Sequence, residues 1–433
     1  MRAELRGKTS SISVHNNSTI LNRADNSTSV YGALKGCLGS LDGGCIEKLL
    51  VHCGSALESH DVTLAQQVMW VLNNVASPVG DPNQRLTSWF LRALVSRASR
   101  VCPSPSPTPT PMSFNGSSIR VETRLMSVTD LARYVDVIPW HRFGFCAANI
   151  AIYKAIERYQ KVHILDFSIS HCMQWPTLID ALSKRPQGPP SLRITVPSFR
   201  PQVPPLLNIP THQIGLCLTK FANSKNIPFQ FNLFPYNHNN SNIISLFDPS
   251  ILNLQHDEAL VINCQHWLRY VSDDDKNDFI NATKRLNPRI MVVVDEDFDM
   301  TDSSLASRIT TCFNYFWIPF DALETFLSKD STQRLEYEAD VGQRIENIIG
   351  FEGKQRVERL ESCVKVSERM RYSGYLNQPF CDDVGDEVKA LLAEQASGWG
   401  MKREEDALVL TWKGHSSVFV TAWVSTDDEI VVA

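Results

Sequence analysis

Five short apolar runs, separated by stretches of helical periodicity, restrict the folds open to this chain more than any other feature. The runs are VHILDF from Val162, LRITVP from Leu192, FQFNLF from Phe229, EALVINC from Glu258 and RIMVVVDED from Arg289. Their length and apolar content predict strands. PTLIDALSKR, IGLCLTKFANSKN and DKNDFINATKRL read as helices between most of them, although Pro and Asn interrupt the third connection. Such alternation predicts a mainly parallel sheet with right-handed crossovers. After Trp399, the runs ALVLTWKG and SVFVTAWV flank Gly414, His415 and Ser416, which predicts a terminal β-hairpin.

The expected fold class is therefore α/β: a Rossmann-like, mainly parallel sheet with a C-terminal β-hairpin, plus an α-helical cap. Five β/α units closed by a hairpin follow the element order of class I methyltransferases, an analogy that says nothing of activity. Ahead of the sheet, Ile46, Leu49, Leu50, Cys53 and Leu57 lie at helical spacing, and Leu64, Val68, Leu72 and Val75 repeat it. A third helix opens with Asp81 as N-cap, Pro82 at the first position and Gln84 closing a capping box. We expect a mobile leader over residues 1–44 and a helical cap over 45–145, with a Pro/Ser/Thr linker near 101–119. The core is expected over 146–433. Within it, an aromatic-rich helical insertion at about 301–350 should pack on the N-terminal helices, and a charged helix should run from about Glu352 to Arg371.

In nucleotide-binding folds of this kind the first strand ends in an acidic residue followed by glycines, which let the backbone approach the ligand. Here Asp166 is present, but Ser168, Ser170 and Cys172 hold the glycine positions, and the second strand ends LRITVPSFRP without an acidic residue to grip ribose hydroxyls. Each added Cβ obstructs the close approach, so no cofactor is expected. His171 and Cys172 are neighbours on a turn without a third orienting group, which argues against nucleophilic catalysis. The eleven cysteines show no C-x-x-C, and Cys37, Cys45 and Cys53 match no common zinc spacing, so they read as reduced thiols with no metal. No signal peptide is read at the start, and no apolar run approaches a membrane span. A net charge of −5 disfavours strong autonomous DNA binding.

Val162, His163, Ile164, Leu165 and Asp166, followed by Gln174, Trp175 and Pro176, resemble the VHIID motif of GRAS proteins. Pro288, Phe313, Tyr315 and Phe320, then Arg356, Glu358 and Arg359, are similar to its PFYRE block, and Trp399, Trp412, Thr421, Ala422 and Trp423 to its closing SAW block. The resemblance spans about 45–433 and looks most like the scarecrow-like and short-root-like branch. Leu165 and Thr421 depart from the family letters while keeping size and shape, and Cys172 replaces a usual glycine. The resemblance implies a nuclear plant transcriptional regulator without enzymatic activity. It would bind DNA-binding factors of the zinc-finger or helix-loop-helix type and other GRAS proteins, with weak or indirect DNA contact. The absence of zinc-finger, basic-zipper or clear helix-turn-helix patterns agrees with partner dependence. The competing readings are a methyltransferase-like enzyme or small-ligand sensor using the crevice above Asp166, and a direct DNA-binding factor.

Each residue also has a plain structural reading. His163 inside an apolar strand reads as a hydrogen-bonded core residue, Asp166 as a cap of the following turn, and Trp412 and Trp423 as core fillers. Lys354, Arg356, Arg359, Lys365, Arg369 and Arg371 fit either phosphate contact or a solvated helix with ion pairs. Ile46, Leu49, Leu50, Leu57, Leu64, Val68 and Leu72 are the candidate partner surface, if a face of those helices remains after packing.

Overall fold

The computed structural model describes residues 42–101, 125–198, 206–234, 249–302, 304–395 and 397–425, together with Val203 and Phe247. The leader and the Pro/Ser/Thr linker lie almost wholly outside the described residues, as does most of the connection from Phe234 to Pro249. Residues from Ile46 onward make one compact unit.

Three helices come first: α1 (Gly43–Glu58), α2 (Val62–Val75) and α3 (Pro82–Val101). The capping box forms as its residues predict, with the Gln84 N–H donating to Asp81 at 2.9 Å and the Asp81 N–H donating to the Gln84 side chain at 3.1 Å. Next come β1 (Leu125–Met126), α4 (Val128–Val137) and α5 (Trp140–Ala155). The α/β alternation follows as β2 (Lys161–Ser168), α6 (Trp175–Ser183), β3 (Ser191–Pro197), β4 (Leu206–Leu207), α7 (Thr211–Ser224), β5 (Phe229–Phe234), β6 (Ala259–Gln265), α8 (Lys276–Arg285) and β7 (Ile290–Glu296). Two long helices, α9 (Leu305–Phe326) and α10 (Thr332–Gly350), precede α11 (Cys363–Tyr372), β8 (Tyr375–Asn377) and α12 (Asp382–Ala393). The chain closes on β9 (Trp399–Arg403), β10 (Ala407–Trp412) and β11 (His415–Ser425).

The main sheet has the order β5-β3-β2-β6-β7-β11-β10-β9, with β8 added beside β11. Strands β5, β3, β2, β6 and β7 are parallel, while β11, β10 and β9 are antiparallel. The order reverses at β2, whose successor β3 lies on one side and β6 on the other, so the crevice at their carboxyl ends is the switch point of an open α/β sheet. One face of the sheet buries Phe167, Phe279, Met291, Met370, Phe419 and Trp423 under α8 and α11. On the other face α5 approaches β7 so closely that a Cβ on Gly144 would stand 2.8 Å from Val294. The helices α9 and α10 pack on the N-terminal cap, where Phe90 meets Phe313 edge-on at 5.7 Å.

Two local expectations are corrected. The hairpin turn falls on Lys413 and Gly414, both with positive φ (48° and 86°), and His415 and Ser416 already belong to β11. A two-residue turn with both φ positive matches the twist of its strands. The charged helix starts only at Cys363, capped by Ser362, and a 3-10 turn at Gly353–Gln355 leads into an irregular segment before it. That segment buries Glu358 and Leu360, and the Arg359 N–H donates to the Arg269 carbonyl at 2.7 Å. Arg344 draws Glu358 inward and Lys276 draws Glu361, which outweighs the pairing a solvated helix would offer.

Candidate functional site

Strand register sets Asp166 beside Asn263 and Ser168 beside Gln265 at the carboxyl ends of β2 and β6. Asp166 is buried and accepts three side chains: Trp175 Nε1–H at 2.8 Å, Asn263 Nδ2–H at 2.9 Å and the Cys172 thiol at 3.7 Å. It anchors side chains rather than capping the turn, because the start of α6 brings the Trp175 indole to it. Gln174 occupies the middle of the crevice. Its Oε1 accepts from Asn263 at 3.0 Å and from Gln265 at 2.6 Å, and its Nε2 donates to Asn149 of α5 at 2.9 Å. The loop retains the left-handed backbone that glycines would favour, with φ of 51° at His171 and 64° at Cys172. Side chains fill the space that geometry would otherwise open, and Cys172 is buried.

Beside this amide network, at the ends of β6 and β7, lies a buried ionic cluster. Arg269 donates to Asp295 at 2.8 Å and to Glu296 at 2.6 Å. Arg344 of α10 donates to Glu296 at 2.9 Å and to both oxygens of Glu358. Burial alone would raise the Glu296 carboxyl, but Arg269 and Arg344 hold it well below the usual carboxylate range. Burial likewise opposes ionisation of Asp295, and Arg269 overrides it. Arg269 also donates to His266 Nδ1 at 2.8 Å, so a neutral His266 carries its proton on Nε2. Burial lowers the pKa of both His266 and His141, whose rings meet edge-on at 4.8 Å. The space left among Tyr134, Trp140, His141, Ile169, His266 and Arg344 is about 20 Å³. That suffices for one water and falls far short of the roughly 300 Å³ at which small-ligand pockets begin.

The motif residues divide between this site and the core. In the VHIID-like stretch, Val162, Ile164 and Leu165 are buried in β2, and His163 is fully buried with Nε2 2.8 Å from the Thr195 hydroxyl. Asp166, Gln174 and Trp175 build the crevice network, and Pro176 follows in the first turn of α6. Of the PFYRE-like residues, Pro288, Phe313, Tyr315 and Phe320 are buried. Tyr315 donates to the Ser417 carbonyl at 2.9 Å. Glu358 joins the ionic cluster, while Arg356 donates to the Met300 carbonyl and Arg359 to that of Gly353. These last three bond within the protein from an irregular segment rather than from a solvated helix. Of the SAW-like residues, Trp412 donates to Asp321 at 2.7 Å and Trp423 to Thr421 at 2.9 Å, Ala422 is fully buried, and the Trp399 ring lies 4.8 Å from that of Trp412.

The expected partner surface is corrected. Ile46, Leu50, Leu57, Val68 and Leu72 are buried, and Leu49 and Leu64 are half-buried, because this apolar stripe is what fastens the cap to the rest of the protein. Sequence reading also missed Asn149, Asn263, Gln265, Arg269, Asp295 and Arg344. Polar residues at the carboxyl ends of two apolar strands, NCQH and DED, were the available signal.

Comparison with known proteins agrees with this architecture. The chain is 44% identical over 402 residues to Scarecrow-like protein 32 of Arabidopsis thaliana, covering 90% of this chain and 95% of that protein. It is 31% identical over 398 residues to Protein SHORT-ROOT of the same plant, covering 88% and 73%. The crystal structure of SCL7 from Oryza sativa superposes with a TM-score of 0.73 at 23% identity, covering 87% of this chain and 99% of that one, and thus shares the fold. With the GRAS domain family matched over residues 46–424, this chain belongs to that family of plant transcription regulators.

Proposed function

We propose that this protein is a nuclear, non-enzymatic transcriptional co-regulator that acts by contact with DNA-binding factors of the zinc-finger or helix-loop-helix type. The observation that carries the non-enzymatic reading is the filled crevice, where Gln174, Cys172 and their partners stand in place of an adenosyl ligand and about 20 Å³ remains beside them. No helix among the described residues is long and apolar enough to cross a membrane.

For the partner surface we favour the outer face of α2 over its buried stripe. Val62, Gln66, Trp70 and Asn74 recur at four-residue spacing and are exposed, Trp70 to 48% and Val62 to 39%. An exposed tryptophan on a rigid helix is the residue type that most often dominates an interface. The test is a pull-down from plant nuclear extract with the full chain and with Trp70→Ala, the captured proteins being identified by mass spectrometry. DNA-binding factors should be recovered and should lose affinity by about tenfold or more in the variant. Recovery of no such factor sinks the co-regulator reading, and equal recovery by the variant removes α2 from the interface.

A further inference from the structure

The end of the sheet opposite the crevice carries a second chemical grouping that the regulator reading does not use. There a cavity of about 240 Å³ is lined by Ala151 and Lys154 of α5, Arg289 before β7, Phe380 and Cys381 before α12, and Val424 of β11. Cys381 is exposed and stands at the N-cap of the twelve-residue helix α12. Lys154 Nζ lies 2.7 Å from its sulfur and 2.7 Å from Asp383 Oδ2, which holds the ammonium in place. That is short for an N–H···S contact, given the larger radius of sulfur. The two residues are 227 positions apart in sequence, and the Lys154–Asp383 ion pair joins the same two elements, α5 and α12.

We propose that Cys381 and Lys154 form a peroxide-triggered covalent cross-link, a reversible S–N bond that ties α5 to the start of α12. The thiolate attacks one oxygen of hydrogen peroxide, the O–O bond breaks, and a sulfenic acid and hydroxide result. Hydroxide takes a proton from the Lys154 ammonium, giving water and the free amine. The amine nitrogen then attacks the sulfenyl sulfur, the S–O bond breaks, and a second water leaves as the S–N bond forms. The sulfur is oxidised by two electrons and the peroxide reduced by two. An added thiol attacks the same sulfur, releases Lys154, and through a mixed disulfide returns the cysteine to its reduced form.

The surroundings of the thiol favour the first step. Partial burial opposes ionisation, but the Lys154 ammonium and the Val384 N–H override it and hold the Cys381 thiol below its ordinary value. Elsewhere burial prevails over any nearby donor or cation: it pushes Cys53 and Cys363 up to about 12 and Cys146 up to about 11. Peroxide should therefore select Cys381 over those three. Lys154 then intercepts the sulfenic acid before further oxidation.

The experiment treats the purified full chain with hydrogen peroxide at neutral pH, digests it without reductant and maps it by mass spectrometry. The expected product is the Lys154 peptide joined to the Cys381 peptide, lighter than their sum by two hydrogens and separated by dithiothreitol. Cys381→Ser and Lys154→Arg, both at exposed or half-exposed positions, should fold normally and give no joined peptide. In Lys154→Arg the oxidation should instead continue to the sulfinic acid. The oxidised wild-type chain should also melt at a higher temperature than the reduced one, a gain that dithiothreitol removes. Oxidation of Cys381 that leaves Lys154 free in the wild-type chain, or no preference for Cys381 over the buried cysteines, overturns the proposal.

Discussion

At the scale of single residues, the crevice depends on Asp166 keeping all its donors. The carboxylate is 1% exposed and Trp175, which supplies the 2.8 Å bond, is fully buried, so water cannot replace a lost partner. Trp175→Phe keeps a ring in the site but removes the N–H, and it should destabilise the protein by about 1–3 kcal/mol, read as a lower urea midpoint at unchanged slope. A loss below ~0.5 kcal/mol would mean that the remaining Asn263 and Cys172 contacts suffice. The sequence announces Asp166 through its place at the end of an apolar strand, and it announces the obstruction through Ser168, Ser170 and Cys172. It cannot announce Asn263, which lies 97 residues away and meets Asp166 only because β2 and β6 pair in register. Local reading therefore assigned Asp166 to the nearest available job, capping a turn.

At the scale of elements, periodicity carries most of the information and long-range charge pairing carries what it misses. The strands are legible because each is a short apolar run, and the start of α3 because Asp81, Pro82 and Gln84 sit at fixed offsets. The segment from Arg356 to Glu361 is not legible, since its charges suit a solvated helix as well as they suit Arg344 and Lys276, whose positions only the fold supplies. The same kind of pairing fastens the cap. Arg85 of α3 is 1% exposed and donates through Nε to both oxygens of Glu338 on α10 and through Nη1 to Glu324 on α9. Burial raises Glu338 even so, which marks a carboxylate that depends on its arginine partners. Arg85→Met should cost about 3–5 kcal/mol, because it removes both hydrogen bonds to that carboxylate and leaves it only Arg334, at 3.7 Å. The double variant Arg85→Met with Glu338→Gln should lose clearly less than the sum of the two singles, as measured by a double-mutant cycle in urea. Simple additivity would show that the pair does not couple α3 to α10.

At the scale of the whole molecule, the buried ionisable groups set how the protein answers to pH. Burial lowers the pKa of His141 on α5, His163 on β2 and His266 after β6, that of His163 from 6.5 to about 3. As pH falls below 6.5, the unfolded chain binds protons at these positions that the folded chain refuses, so stability declines. Each histidine contributes a slope of up to about 1.4 kcal/mol per pH unit. For His163 this window runs down to about 3. The carboxylates act lower and with the same sign. Asp295 and Glu296 are held below their ordinary values of 3.8 and 4.5, so their stabilisation is complete above those values and is lost as acid titrates them in the fold. The expected profile is a urea midpoint that begins to fall below pH 6.5 and falls more steeply below 4.5, where the carboxylates join. His163→Gln separates the contributions, since an amide can still bond Thr195 but cannot titrate. The variant should show a shallower decline between 6.5 and 3, by about one proton's worth, while the added steepening from the carboxylates should still set in below 4.5. An identical slope in the variant would mean that His163 does not hold its proton off in the fold. The early decline would then belong to His141 and His266, the pair that borders the ionic cluster.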